Sequence, residues 1–457
     1  MSRPLFGLGE IREVVEMLRY RSLDVRSVTL HVDSRICYGA GGESEVAACL
    51  EELVAERGRR LRDSVRAAAS ELGVEVTTIR IALSPFEHLA AVRPGDAGLL
   101  VEAARAVERG LRRAGVDYAG GFAADAGMGI GRAAETVIEA LPRVMAETER
   151  LMGFVSVGSS FQGVSVDAVR SSIEALLEAV EAAGSPMPGA RFLLAVNVAP
   201  DTPFLPAAHH GPGVPDGTLT VAISGPSVVA AALSHLEPGD PLERVYDEAA
   251  RVGFKVARLG RAVLEKAAEA GGFLPGGVDL SLAPTPEPGD SVAEVLKAIG
   301  AEPGAPGSIA ALAVMAEALK RGGGFASCCI AGYSGAMIPV MEDSGLAEAA
   351  GRGLVTVHWL LAALSVCSTG LDMVPVPAGA GAERLAALAL DALVVGVVSG
   401  KTLGVRLVPV PGAEPGDVVE LGGLLGSARV MDPGGGYTVI AGRRGRLPPP
   451  LRRLLAG

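Results

Sequence analysis

A regular alternation of strand and helix patterns constrains the fold most strongly. In the first half of the 457-residue chain, five short runs rich in Val, Ile and Leu each follow a longer run with helical spacing. Five such units predict parallel strands joined by right-handed crossovers. The predicted strands are 25–32, 74–83, 116–124, 151–160 and 191–198, and the helices are 10–20, 44–72, 96–114, 133–146 and 165–183.

The second half alternates less regularly, and no linker or repeat divides the chain. We therefore predict one α/β domain over residues 1–457, a single large barrel, with a basic C-terminal tail at 442–457. The predicted strands here are 218–224, 277–282, 324–329, 334–340, 370–376 and 403–410, and the helices are 241–270, 291–299, 308–320, 346–350, 356–366 and 384–400.

Composition and charge exclude several classes of protein. A hydrophobic fraction of 49 % with few aromatic residues suits helices packed on buried parallel strands. The net charge of −11, with no basic stripe, argues against nucleic acid as a partner. The longest apolar run, 384–400, contains Asp391 and fits a buried helix better than a membrane span. We expect no signal peptide at the start of the chain, and five cysteines without CxxC spacing predict a cytoplasmic protein with neither a zinc knuckle nor a disulfide framework.

Polar, glycine-containing loops follow nearly every predicted strand. In parallel α/β folds these loops converge at the carboxyl ends of the strands, where ligands bind. We therefore expect the loops to surround one pocket at that end of the fold. The loops are 33–39, 84–88, 124–129, 158–163, 197–204, 224–227, 281–291 and 366–370.

Two adjacent histidines, His209 and His210, lie in the segment 201-DTPFLPAAHHGPGVPDG-217. Its prolines restrict the backbone and its glycines permit close approach. A rigid loop that presents an imidazole suits a general base, or a metal ligand if carboxylates converge on it. The alternative is an ordinary loop histidine bonded to a backbone carbonyl.

Other polar residues in these loops are candidates for chemistry. Ser281 and Thr285 lie at a strand end and suit an anionic oxygen, whereas Asp290 is either a catalytic group or a helix cap. Glu342 and Asp343 follow a strand directly, and together with His210 one of them could recruit a divalent metal. Ser159 and Asn197 are further predicted ligand-binding residues, and Cys367 is a candidate catalytic thiol.

Charged residues also occur on or beside strands that should be buried. These are Asp33, Arg35, Arg80 and Arg406. A buried charge is tolerated only when it is paired or bound to a ligand. One Arg–Asp pair would be structurally ordinary, but several charges near one pocket predict a carboxylate or phosphate ligand.

Sequence blocks through the whole chain resemble one known family. The blocks "GGFAA", "VSVGSS", "HHGPG", "VAISGP", "LSLAPTPEPGDSVA", "CSTGLDMVPVP" and "GGLLG" occur in order between about residue 10 and residue 450. Together they resemble uncharacterised protein family 0210, the domain of unknown function 711. The resemblance implies similarity to the pyruvate formate-lyase-like glycyl radical enzymes, whose barrel has ten strands in two five-stranded parallel halves.

The resemblance also bears on site residues and partners. It places a histidine before the glycine of "HHGPG", so His210 is the favoured member of the pair. It implies an ACT-domain protein as a partner, and we expect a homo-oligomer. The C-terminal segment 429-RVMDPGGGYTV-439 has the letters of a glycyl radical loop but the wrong spacing. The pair Cys328–Cys329 resembles the cysteines of formate-lyases, yet such a pair is more often two small buried residues.

We therefore predict a non-radical enzyme that acts on a small polar or anionic metabolite. His210 would transfer protons, and Arg80 or Arg406 would anchor the anion. Two alternatives remain at this point. One is a non-catalytic metabolite-sensing or partner-binding protein, and the other is a hydrolase or lyase that depends on a divalent metal. Fold similarity alone does not decide among them.

Overall fold

The computed structural model describes residues 23, 25–39, 41–327, 329, 331–436 and 438–451. The predicted helix 10–20, Cys328 and residues 452–457 of the predicted tail lie outside the described residues. The strands are β1 Val25–Val32, β2 Val76–Leu83, β3 Tyr118–Asp125, β4 Leu151–Ser159, β5 Gly163–Ser165, β6 Phe192–Val196, β7 Thr218–Ile223, β8 Leu274–Leu282, β9 Gly335–Ala336, β10 Gly370–Pro377, β11 Leu403–Val410, β12 Val418–Glu420, β13 Ser427–Arg429 and β14 Arg446–Leu447.

The helices mostly connect successive strands, as the alternation predicts. They begin and end at α1 Glu43–Leu72, α2 Phe86–Val92, α3 Ala97–Ala114, α4 Arg132–Glu147, α5 Val166–Ala183, α6 Met187–Arg191, α7 Pro226–Leu233, α8 Leu242–Gly271, α9 Val292–Ala298, α10 Ser308–Ser327, α11 Ser344–Gly351, α12 Val357–Ala363 and α13 Gly381–Ser399.

One large, mostly parallel sheet organises the molecule, so the predicted α/β class is confirmed. Its strand order is β10-β11-β6-β4-β3-β2-β1-β7-β8-β9, with β5 paired to β4 and to β14. Strands β1, β2, β3, β4 and β6 pair in parallel. Strands β7 to β9 and strands β10 and β11 are also parallel within their groups. These groups meet the first five at two antiparallel junctions, β1–β7 and β6–β11.

The two ends of this strand order are linked by backbone hydrogen bonds. Ser368 N donates to Ala336 O at 2.8 Å, and Val340 N donates to Asp372 O at 3.0 Å. Residues 336–341 begin in β9, the strand next to β8. They therefore lie beside residues 368–373, which lead into β10 and form its first residues.

A loop covers the sheet face opposite the helices. Leu205, Ala207 and Ala208 lie in the loop between β6 and β7 and are buried against side chains of the sheet. The loop fits because β3 has a glycine at the contact. A Cβ on Gly120 would lie 2.0 Å from Ala208 O, which no side chain could tolerate. The histidine pair belongs to this loop.

The strand predicted at 324–329 is wrong, because helix α10 continues to Ser327. Gly322 and Gly323 do not end the helix, since their missing side chains allow close packing. A Cβ on Gly322 would meet Ala250 O at 2.2 Å, and one on Gly323 would meet Leu280 Cδ2 at 2.9 Å. The strand predicted at 334–340 contracts to β9, which has 2 residues.

The sequence analysis predicted no disulfide framework, but the structure contains one disulfide among the described cysteines. Cys37 and Cys49 form a disulfide with their Cα atoms 5.5 Å apart. Cys37 ends a short 3₁₀ turn after β1, and Cys49 lies in the second turn of α1. Spacing rules based on CxxC cannot detect a pair that is brought together by a turn and a helix.

Helix α13 contains the longest apolar run of the sequence. Within the ranges that the structure describes, neither this helix nor any other is long and apolar enough to cross a bilayer.

Candidate functional site

The antiparallel junctions separate the polar loops into two groups. The carboxyl ends of β1 to β4 and β6 lie at one edge, and those of β7, β8, β10 and β11 lie at the other. One common pocket was expected. Instead, the histidine pair lies toward the first edge, and the buried arginines lie toward the second.

A cavity lies at the second edge, and we call it the arginine cavity. The centres of water molecules can occupy about 90 Å³ within it. It is bounded by the amino ends of β1 to β4 and the carboxyl ends of β7 and β8. Its lining comprises Arg26, Thr78, Arg80, Tyr118, Met152, Pro203, Phe204, Leu205, Ala222, Ile223, Asp279, Ser281, Ala283, Met337, Pro339, Glu342, Asp372, Leu424, Leu425 and Arg406.

Arg406, from β11, holds two carboxylates of this wall. Its Nε donates to Asp372 Oδ1 at 2.6 Å, and its Nη2 donates to Glu342 Oε1 at 3.1 Å. The side chains of Arg406 and Asp372 are buried, and that of Glu342 is partly buried. Arg406 was predicted to anchor a ligand. Since its guanidinium already binds two carboxylates, it orders the wall of the cavity.

Arg80, from β2, has only neutral partners among the described residues. Its Nε donates to Thr78 Oγ1 at 2.9 Å, and its Nη1 lies 3.4 Å from Pro203 O. Burial, together with the neighbouring Arg26, lowers the pKa of Arg80 to about 10, so the group is charged at neutral pH. A half-buried guanidinium with no carboxylate as a hydrogen-bond partner among the described residues is suited to an anionic ligand.

Arg26, from β1, was missed by the sequence analysis. Its Nη2 donates to Pro284 O at 3.2 Å and lies 3.8 Å from Glu342 Oε2. Its Nη1 is buried and has no hydrogen-bond partner in the part of the chain that the structure describes. The signal was available, because Arg26 is a charge inside the apolar strand 25-VRSVTLHV-32.

Asp279 is the third carboxyl group of the cavity wall, beside Asp372 and Glu342. Asp279 is 1 % exposed and accepts hydrogen bonds from Ser281 Oγ at 2.6 Å and Tyr333 N at 3.0 Å. Burial raises the pKa of Asp279 to about 6. Asp372 Oδ2 is buried without a hydrogen-bond partner among the described residues. Ser281, predicted to bind an anion, therefore lines the cavity but donates its hydroxyl to Asp279.

His210 lies away from the arginine cavity. Its backbone N donates to Leu83 O at 2.9 Å, and its Nδ1 is 3.4 Å from Ser84 Oγ. The residue is 4 % exposed. His209 Nδ1 donates to Ala207 O at 2.9 Å, and its ring packs on Phe154. The pair thus fixes the loop against the sheet, and it shares no cavity wall with Arg80.

His31, on β1, is a buried histidine that the sequence analysis did not single out. Its Nδ1 donates to His209 O at 2.9 Å, so its Nε2 accepts from the Thr220 hydroxyl at 3.0 Å. Burial lowers the pKa of His31 to about 3. The neutral ring joins the loop to β1 and β7.

The predicted metal set of His210, Glu342 and Asp343 is not brought together. Glu342 lines the arginine cavity, whereas Asp343 caps α11 by accepting from Gly345 N and Leu346 N at 3.0 Å each. Among the residues that the structure describes, no group of three or more His, Cys, Asp or Glu side chains could hold a metal ion.

Asp290 and Thr285 have structural partners. Asp290 accepts from Ser227 N at 3.1 Å and from Thr285 Oγ1 at 3.0 Å. Ser291, not Asp290, caps α9, because its Oγ accepts from Ala293 N. Capping was the alternative interpretation of Asp290, and these contacts place the residue in loop structure outside the arginine cavity.

The remaining predicted ligand-binding residues also support loops. Ser159 Oγ accepts from Phe161 N and Gln162 N in a turn. Asn197 has a φ of 56° and bonds Ser160 N, Gly396 O and Lys401 O.

Asp33, Arg35 and Cys367 complete the predicted set. Asp33 pairs with the half-exposed Arg35 at 2.6 Å, and this hydrogen-bonded pair lowers the pKa of Asp33. Cys367 is fully buried, and burial raises the pKa of its thiol. A thiol in that state is a poor nucleophile.

Comparisons with known proteins identify relatives along nearly the whole chain. A family model described as "Uncharacterised ACR (DUF711)" matches residues 16–422. The chain is 43 % identical to a UPF0210 protein of Pyrobaculum islandicum, covering 99 % of this chain and 100 % of that protein. It is 41 % identical to a UPF0210 protein of Methanopyrus kandleri and 36 % identical to one of Listeria monocytogenes, each covering 97 % of this chain and 98 % of the relative.

Proposed function

Because the chain belongs to the uncharacterised family DUF711, whose description carries no activity, we propose its function from the arginine cavity. The protein binds a small metabolite with an anionic group in this cavity and acts on it as a non-radical enzyme. The observation that carries the proposal is Arg80, a half-buried guanidinium whose described hydrogen-bond partners are a hydroxyl and a carbonyl.

In this proposal Asp279, and not His210, is the group that transfers protons. His210 was expected to be the acid–base group, but it lies outside the cavity wall. Asp279 lines the cavity, and a pKa of about 6 lets it hold or release a proton near neutral pH. The position of His210 also favours a second candidate function, a non-catalytic sensor of the same metabolite. An ACT-domain partner remains a prediction of that hypothesis, and a homo-oligomer remains a separate prediction.

We also propose that the sheet is a closed barrel of the kind that the family resemblance implies. The support is the strand order, which ends in β9 and β10, and the hydrogen bonds from residues 336–341 to residues 368–373. Closure would enclose the arginine cavity between the two sets of parallel strands.

The binding proposal predicts an effect of Arg80→Met. We expect saturable binding of isovalerate, L-valine or inorganic phosphate to the wild type, measured by isothermal titration calorimetry at pH 7. In Arg80→Met the dissociation constant of the bound probe should rise about tenfold or more, since a charged hydrogen bond to the anion is lost. Arg143→Met is the matched control, because Arg143 is exposed and pairs only with Glu147 among the described residues.

If none of the three probes binds in a way that depends on Arg80, the proposal is wrong. If a probe does bind in a way that depends on Arg80, proton NMR of the bound probe separates the two candidate functions. Turnover that stops in Asp279→Asn supports the enzyme, and Arg80-dependent binding without turnover supports the sensor.

A further inference from the structure

The lining of the arginine cavity also indicates which groups the ligand has in addition to its anionic group. Resting on the proposed function, we infer that the ligand is a zwitterion: a small α-amino carboxylate with an apolar side chain. Its carboxylate lies toward Arg80 and Arg26, and its ammonium group lies toward Asp372 and Asp279. Three features of the wall lead to this assignment.

The first feature is a pair of unpartnered atoms of opposite charge. Arg26 Nη1 is a buried donor and Asp372 Oδ2 is a buried acceptor, and neither has a hydrogen-bond partner in the described chain. Both residues line the cavity and are at least nine-tenths buried. Buried polar groups in native proteins nearly always have partners, so each position is suited to a ligand group of the opposite kind.

The second feature is the balance of charge. Three guanidinium groups and three carboxyl groups line the cavity: Arg26, Arg80, Arg406, Asp279, Glu342 and Asp372. Arg406 bonds Asp372 and Glu342, which leaves Arg80 as the cation without a described carboxylate. A simple anion would add a net negative charge to this buried wall. A zwitterion adds none, and it offers a cation to Asp372 as well as an anion to Arg80.

The third feature is size and polarity. A volume of about 90 Å³ for water centres corresponds to on the order of six to nine non-hydrogen atoms, taking roughly 10–15 Å³ for each. Met152, Leu205 and Met337 form apolar wall beside the charged groups. An amino acid of the size of valine therefore fits the space, the charges and the apolar wall together.

The test compares L-valine with two analogues that each lack one charged group. Isovalerate lacks the ammonium group, and isobutylamine lacks the carboxylate. Calorimetry on the wild type at pH 7 should show L-valine binding about tenfold or more tighter than either analogue. Asp372→Asn should weaken L-valine binding about tenfold and leave the affinity for isovalerate nearly unchanged. Asp63→Asn, at an exposed ion pair, is the control.

The wild-type comparison needs no variant, so it holds even if Asp372→Asn fails to fold. Equal affinities for L-valine and isovalerate, both dependent on Arg80, would overturn this inference and leave the proposed function intact. Tight binding of phosphate with no binding of L-valine would overturn it in the same way. Absence of Arg80-dependent binding for every probe would overturn both.

Discussion

Replacing Arg406 with methionine should lower the free energy of unfolding by about 3–5 kcal/mol, which is the usual cost of removing one partner of a buried ion pair. Asp372 and Glu342 would lose their guanidinium at 2.6 Å and 3.1 Å. Both carboxylates would then lie in the cavity wall with too little compensating charge. The measurement is urea unfolding at pH 7, followed by circular dichroism.

Two further variants make this prediction specific. Arg143→Met removes an exposed arginine and should change the free energy of unfolding by less than about 0.5 kcal/mol. Adding Asp372→Asn to the Arg406→Met variant should restore part of the lost stability, because one of the stranded charges is removed. A loss below about 1 kcal/mol in Arg406→Met would mean that water or another group compensates the carboxylates, contrary to the buried network.

Acid should destabilise the wild type more than a His31→Gln variant, by about 4 kcal/mol at pH 3 relative to pH 7. The folded pKa of His31 is lowered from 6.5 to about 3 by burial. Between these two pH values the unfolded chain binds a proton that the folded chain excludes. Stability is therefore unaffected above pH 6.5 and falls as the pH drops through this window.

The quantity to measure is the difference in unfolding free energy between wild type and His31→Gln, from urea denaturation at several pH values. His235→Gln is the matched control, since His235 is exposed, and its profile should run parallel to that of the wild type. A wild-type minus His31→Gln difference that does not change with pH would contradict a neutral, buried His31.

The sequence predicted local structure well because hydrophobic periodicity is a local property. Strands β1 and β11 coincide with their predicted ranges, and most other strands differ by one to three residues at an end. The glycines of α10 are an exception, because their packing against α8 and β8 is a tertiary contact. The hydrophobic periodicity of one segment contains no information about a packing partner elsewhere in the chain.

The candidate site was predicted only in part, and strand order is the reason. The loops after β1 and after β8 are both polar and contain glycine, yet the antiparallel junctions place them at opposite edges. Arg80 and Ser281 therefore share a cavity, while His210 does not join them. Deducing this would have required the direction of β7 relative to β1, which no local pattern encodes.

Buried charge proved a better guide to the cavity than loop polarity. Arg80 and Arg406 were singled out as charges on buried strands, and both line the arginine cavity. The same reasoning applied to Arg26 would have found the third guanidinium. By contrast, Ser159, Asn197 and Asp290 are polar residues whose hydrogen bonds are used by turns and loops.

A crystal structure of the protein soaked in L-valine tests the central claim most directly. We expect electron density for one molecule in the arginine cavity, with its carboxylate within hydrogen-bond distance of Arg80 or Arg26 and its amino group near Asp372. An empty cavity at a concentration that saturates binding in solution, or density beside His210 instead, would contradict the account.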